Sequence, residues 1–224
     1  MAVRPFSSTA TRLEIGEGHI PYPVFADRTP ATVPRQPAYL DLTTAEPVDA
    51  AWFMVALVPR RSIQAARAAS ERFETLTAAG WTGLSSIRED GARDLVAFST
   101  AEGSRTTALN GWRTDAEAWR ATTAGSEVRR VGAQQVRALQ HEARVLLASD
   151  REVSVAIEYL PTGLTAAVQA HEASRVRLHL GRAPARTVMN GAIVTSSYDA
   201  ATGMLSLSVP SGTTTIAISW TNDR

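Results

Sequence analysis

Apolar and polar residues alternate with period two over much of the chain, and most clearly in its last third. Val153, Val155 and Ile157 interleave with Glu152, Ser154 and Glu158, and Val176, Leu178 and Leu180 interleave with Arg175, Arg177 and His179. Side chains of a strand point alternately to its two faces, so this spacing predicts strands with one face in a core and one in water. Turn signals separate the runs: Asp90-Gly91, Asn110-Gly111, Pro161-Thr162-Gly163, Asn190-Gly191, Gly203 and Gly212. Asp-Gly and Asn-Gly suit two-residue hairpins, because their central residues accept the left-handed conformation. The expected strands are 84–89, 94–100, 116–121, 127–131, 135–139, 153–157, 164–170, 175–180, 193–198, 204–209 and 214–219, with turn signals about 8–12 residues apart.

The first part of the chain reads differently. Six prolines punctuate residues 1–37, with strand-like pieces at 12–15 and 22–25 between them, which predicts a proline-rich wrapping segment. Residues 38–42 read as a strand and Glu46-Pro47 as a turn. Trp52 to Val58 is the most apolar run in the chain and ends at Pro59, as a buried strand would. Ile63, Ala66, Ala69, Phe73 and Leu76 fall at helical spacing, so residues 62–79 are read as a short helix or loop followed by a strand.

The pattern therefore predicts an all-β protein with little helix: an antiparallel β-sandwich of one large sheet or two closely packed sheets. Residues 38–224 form the sandwich domain, with a soft internal boundary near 149, where Ser149-Asp150 reads as a turn.

Composition narrows the function. The 224 residues carry 23 basic and 22 acidic side chains, and every basic one is arginine. Near-neutrality argues against a nucleic-acid binder, which usually gathers a basic surplus. Arginine's planar fork suits two-point contact with carboxylate or sulfate, although a GC-rich genome also produces arginine in place of lysine. The absence of cysteine rules out disulfides and thiolate metal sites. No apolar run is long enough to span a membrane as a helix, and residues 1–10 lack the apolar centre of a signal peptide.

Catalytic signatures are missing. The four histidines, His19, His141, His171 and His179, form no close-spaced metal motif, and there is no GxSxG, phosphate loop or GxGxxG after a strand. No catalytic residue, metal or cofactor is expected. His179 reads as part of a solvated strand face and His171 as part of a turn, whereas His19 sits in a Gly-flanked loop able to reach a partner site. Trp112 follows Asn110-Gly111 and precedes Arg113. It reads either as core packing or as a flat face on which an acidic sugar stacks, its acid group held by the arginine.

Several stretches resemble the C-terminal β-sandwich of heparinase II/III-like polysaccharide lyases. They are EPVDAAWFMVALVP at 46–59, GWTGLSSIREDGARDLVAF within 73–98, Thr114-Asp115-Ala116, RRVGAQQVRAL at 129–139, and SYDAATGMLSLSVPSGTTTIAI at 197–218. The likeness spans about 170 residues. It implies a partner in the eliminative cleavage of uronic-acid glycans, in which a base removes the C5 proton and an acid, usually Tyr, protonates the leaving oxygen. In that family these residues lie largely on an α/α toroid, for which this sequence has no long amphipathic helices. The resemblance thus implies a module that is non-catalytic by itself, partnered by a toroid domain or subunit and by an acidic polysaccharide, in an extracellular or periplasmic setting. Its expected substrate-binding residues are His19, Tyr22, Arg60, Arg61, Trp112 and Arg113. The alternative is a stand-alone carbohydrate-binding or protein-interaction sandwich.

Overall fold

The fold is that of a computed structural model, which describes residues 2–7, 10–17, 38–49, 53–58, 61–100 and 107–220. It separates into two compact units, residues 1–70 and 71–224. The division between the units falls inside the region read from the sequence as the sandwich domain.

In the first unit, β1 (Ala2–Ser7) pairs antiparallel with β4 (Phe53–Val58), and β2 (Thr11–Glu17) with β3 (Ala38–Thr44). Helix α1 (Ile63–Ser70) follows, packed against β1 and β4. The Ser62 hydroxyl accepts the Ala65 N–H at 3.2 Å and caps the first turn. Ala66 is fully enclosed. The run ending at Pro59 is a strand, as its composition predicts, but it is not buried throughout: Ala56 is enclosed, whereas Val55 is 42% exposed. Trp52 and the strand expected at 22–25 lie outside the described residues.

The second unit is all antiparallel β. Its fifteen strands form one continuous sheet that folds back on itself. They are β5 (Phe73–Ala78), β6 (Trp81–Ile87), β7 (Arg93–Ser99), β8 (Thr107–Leu109), β9 (Trp112–Thr114), β10 (Ala118–Ala124), β11 (Glu127–His141), β12 (Arg144–Leu160), β13 (Gly163–Ala170), β14 (Ser174–His179), β15 (Pro184–Met189), β16 (Ala192–Ile193), β17 (Ser197–Asp199), β18 (Met204–Val209) and β19 (Gly212–Trp220). The first leaf runs β16-β15-β19-β13-β12-β11-β10-β7-β6-β5, and the second runs β8-β9-β11-β12-β14-β18-β17. Both contain β11 and β12. Residues 130–133 of β11 pair with 155–158 of β12 in the first leaf, whereas 139–141 pair with β9 in the second. Residues 153–160 of β12 pair with β13, and 147–149 pair with β14.

The sandwich-like core lies between the leaves. Trp119, Val131, Val155, Val168 and Ile216 come from the first and Leu139, Leu147, Leu178, Leu205 and Leu207 from the second, all in one apolar cluster. Strand β13 shows how the alternation is used: its even-numbered residues from 164 to 170 are buried, and 165, 167 and 169 are exposed. The Asp90-Gly91 and both Asn-Gly signals fall at turns between strands. Asn110 and Gly111 have φ of 49° and 79°, and Asn190 and Gly191 have 49° and 82°, as a type I′ hairpin requires.

The strand expected at 193–198 is split, since only 192–193 and 197–199 are strand, as β16 and β17. Two further expectations differ. The strands expected at 127–131 and 135–139 are one strand, β11, and the boundary expected near 149 lies in the middle of β12. The reason is how the leaves are joined. Strand β11 bulges between Ala133 and Val136, where Gln135 adopts a φ of 51°. Bulging strands bend and leave backbone groups unpaired, and carboxylates take those groups here. Asp115 Oδ1 accepts the N–H groups of Arg137 and Ala138, both at 2.9 Å, and Asp150 Oδ1 accepts the Arg175 N–H at 2.8 Å. A Ser-Asp pair reads as a turn because Asp bonds backbone readily. At Asp150 the bonded backbone belongs to a neighbouring strand.

Among the described residues, no helix is long and apolar enough to cross a membrane.

Removing the Asp115 carboxylate should leave two backbone donors at the bend without a partner. Asp115→Ala is expected to destabilise the fold by about 0.5–1.5 kcal/mol, and Asp115→Asn, which keeps one acceptor oxygen, by less. Urea unfolding monitored by tryptophan fluorescence checks both.

Candidate functional site

The hairpin between β11 and β12 has a two-residue loop, Glu142-Ala143, and His141 pairs with Arg144 across it. Glu142 takes a φ of 54° at a turn position usually held by Asn or Gly. Three contacts hold it. Its N–H donates to Gly111 O at 2.6 Å, its carbonyl accepts the Gln140 side-chain amide at 2.6 Å, and the far side of Gly111 faces its side chain. The β8–β9 turn thereby fixes the β11–β12 turn.

Strand pairing then sets the rings. Trp112 in β9 is opposite His141, with ring centroids 4.3 Å apart. Trp112 stacks on Trp119 at 5.1 Å, and Trp119 meets Trp81 edge-on at 6.2 Å. This column of four rings joins the leaves, since Trp112 and His141 belong to the second leaf and Trp119 and Trp81 to the first.

A cleft of about 640 Å³ opens beside the hairpin. Its lining includes His141, Glu142, Arg144, Arg177, His179 and Thr202. His179 is placed by two backbone glycines. Its ring lies against Gly181 and Gly203, and a Cβ on Gly203, whose φ is 68°, would stand 3.2 Å from His179 Nε2. The β17–β18 turn that carries Gly203 is held by Asp199, which accepts the Thr202 hydroxyl at 2.7 Å and the Ala201 N–H at 2.9 Å, and these bonds keep its carboxyl below the ordinary range.

The electrostatics of the cleft favour an anion. Arg144 and Arg177 are exposed, and neither makes an ion pair among the described residues. Among the described residues, Glu142 is the one carboxylate in the lining. Burial lowers the pKa of both histidines. For His141, Glu142 opposes that shift and Arg144 adds to it, and for His179 Arg144 adds to it. Neutral imidazoles beside two guanidiniums offer hydrogen bonds and charge without a fixed counter-ion. No group of three His, Cys, Asp or Glu residues that could hold a metal occurs among the described residues.

The residues expected from the sequence do not come together as one site. His19, Tyr22 and Arg60 lie outside the described residues. Arg61 is exposed ahead of α1 in the first unit, and Arg113 is exposed on β9 in the second. Trp112, read as either core or sugar platform, is 3% exposed and packs in the ring column. Period two makes this legible, because Arg113 and Trp112 are adjacent in a strand and must face opposite ways. His141, Arg144 and Arg177 carried no motif. Glu142-Ala143 is not a turn signature, so the hairpin that gathers them was not visible.

A second cavity, of about 440 Å³, adjoins the ring column and shares His141 with the cleft. A third depression, of about 470 Å³, lies on the first leaf around Phe98, Ala118, Ala156 and Ala167, with Phe98 43% exposed.

Compared with known proteins, the chain matches no family profile and no curated sequence.

Two outcomes are expected of this geometry. A folded-state pKa below the ordinary 6.5 means that the unfolded chain binds protons first, so each histidine costs stability as pH falls below about 6.5 and down through its lowered folded value. The melting temperature should therefore fall from about pH 7.5 to about pH 5.5, and His141→Gln with His179→Gln should flatten that slope. Glu142→Gly should relieve the left-handed strain and stabilise the fold by about 1 kcal/mol, measured by urea denaturation.

Proposed function

We propose that the chain is a β-sandwich module that holds an acidic polysaccharide in the His141/Arg144/Arg177/His179 cleft and works beside the catalytic part of a polysaccharide lyase. The observation that carries this reading is the pair of arginines without ion-pair partners, set with two histidines around a cavity of about 640 Å³. A guanidinium recognises a carboxylate through two parallel hydrogen bonds, and neutral imidazoles serve sugar hydroxyls as donor or acceptor. The sequence resemblance to heparinase II/III-like sandwich modules supports the same class of ligand.

Binding without turnover fits the contents of the cleft. Eliminative cleavage needs a base at C5 and an acid at the leaving oxygen. Imidazoles line the cleft, and no phenol does among the described residues. The Tyr159 hydroxyl is enclosed, and burial holds its pKa well above the ordinary 10.0. The catalytic helices of such a lyase would come from another domain or subunit.

A second reading, docking of a protein partner, draws on the exposed Phe98 in its shallow setting of small residues on the first leaf. Affinity electrophoresis in gels containing hyaluronan, alginate or heparin separates the two: retention supports the glycan site, and free migration in all three supports docking.

For the glycan site, Arg144→Ala and Arg177→Ala should each weaken hyaluronan binding about tenfold, with greater loss at low than at high salt. Isothermal titration calorimetry measures both. Release of unsaturated uronate by the chain alone, followed by ultraviolet absorbance, would overturn the non-catalytic part of the reading.

A further inference from the structure

The second cavity is lined by Arg93, Asn110, Trp112, Thr123 and His141 among others, and no carboxylate contributes to it among the described residues. Arg93 opens strand β7, is half-buried, and makes no ion pair among the described residues. Asn110 and Thr123 supply an amide and a hydroxyl of the kind that pair with neutral hydroxyl groups. Gly91 and Gly125 stand at its rim with nothing within 4 Å of where a side chain would begin, so the rim is open. His141 lines this cavity and the cleft alike, and its ring is fixed against Trp112 at 4.3 Å. Among the described residues, the two linings together carry the arginines Arg93, Arg144 and Arg177 against the carboxylate of Glu142.

We propose that the cleft and the second cavity are one groove divided by His141, and that it takes an extended ligand with at least two carboxylates, one held by Arg144 and Arg177 and the next by Arg93. The proposal rests on the cleft being an acidic-glycan site and deepens it: the groove selects for chain length. A single acidic sugar reaches the arginines on one side of His141, whereas a repeating uronan reaches both. Two anchoring points on one ligand convert the second contact into an intramolecular one, which raises affinity steeply with length up to the span of the groove. Arg93 is then a specificity-determining residue for long ligands alone.

Isothermal titration calorimetry on the full chain tests this with a hyaluronan disaccharide, a hyaluronan octasaccharide and a neutral glucan octasaccharide. The expected result is that the charged octasaccharide binds at least about tenfold tighter than the disaccharide, and that the neutral octasaccharide does not share the gain. Arg93→Gln should remove the gain, so that the charged octasaccharide binds no tighter than the disaccharide, and Arg186→Gln, on the exposed face of β15 outside both cavities, should leave the affinity for both lengths as it is. Equal affinity for the two charged lengths would overturn the groove while leaving the cleft intact. So would a length advantage that survives Arg93→Gln, or one that Arg186→Gln reduces as much. Absence of binding at either length would overturn the cleft reading, and the groove would fall with it.

Discussion

Two long strands, β11 and β12, hold both leaves of the second unit together by belonging to each. A sheet of fifteen strands cannot bury one face without closing over itself, and the closure requires that strands bend. Bending breaks the regular ladder, and each freed backbone N–H inside a protein must find another acceptor. Asp115 and Asp150 provide those acceptors on opposite sides of the bend, and Gln135 absorbs the extra residue in the left-handed conformation. The chain on either side follows suit. Strand β9 continues into β10 through three residues, and β13 into β14 through three more, so that four adjacent paths turn together.

That bend also sets the location of the cleft. With the leaves joined through the middles of β11 and β12, the hairpin connecting them projects at the far end of the second leaf. It carries His141 and Arg144 to the end of β14, where Arg177 and His179 stand. The tryptophan column ties this hairpin to the first leaf, so the imidazole of His141 is positioned by core packing although its other face meets solvent. Glu142 keeps a left-handed conformation that strains it, held by its backbone bonds to Gly111 and Gln140. A glycine would fit the turn better.

Much of the fold was legible in the sequence. Asp90-Gly91, Asn110-Gly111 and Asn190-Gly191 mark hairpins because few other pairs accept the required backbone, and period two assigns the buried face of β13 and of Ser174–Leu178 in β14. The length of β11 and β12 was not legible. A bulge at a Gln has no glycine to announce it, and Ser149-Asp150 offers the same side-chain chemistry to a turn and to a neighbouring strand. The site was less legible still. It is made by register, which places His141 opposite both Trp112 and Arg144, and the pairing that brings Trp112 to His141 joins strands far apart in the sequence. Trp112 beside Arg113 suggested a sugar platform only while the two were read as neighbours on one surface.

The ring column gives the molecule an optical readout of its own cleft. Excited indole is quenched by a nearby protonated imidazole, and Trp112 stands 4.3 Å from a histidine that borders both cavities. Energy absorbed by Trp81 or Trp119 passes readily to a neighbour at these separations, so emission from three of the five tryptophans converges on one place. A change of charge or occupancy next to His141 is thus written into the intrinsic fluorescence of the protein, with no label required.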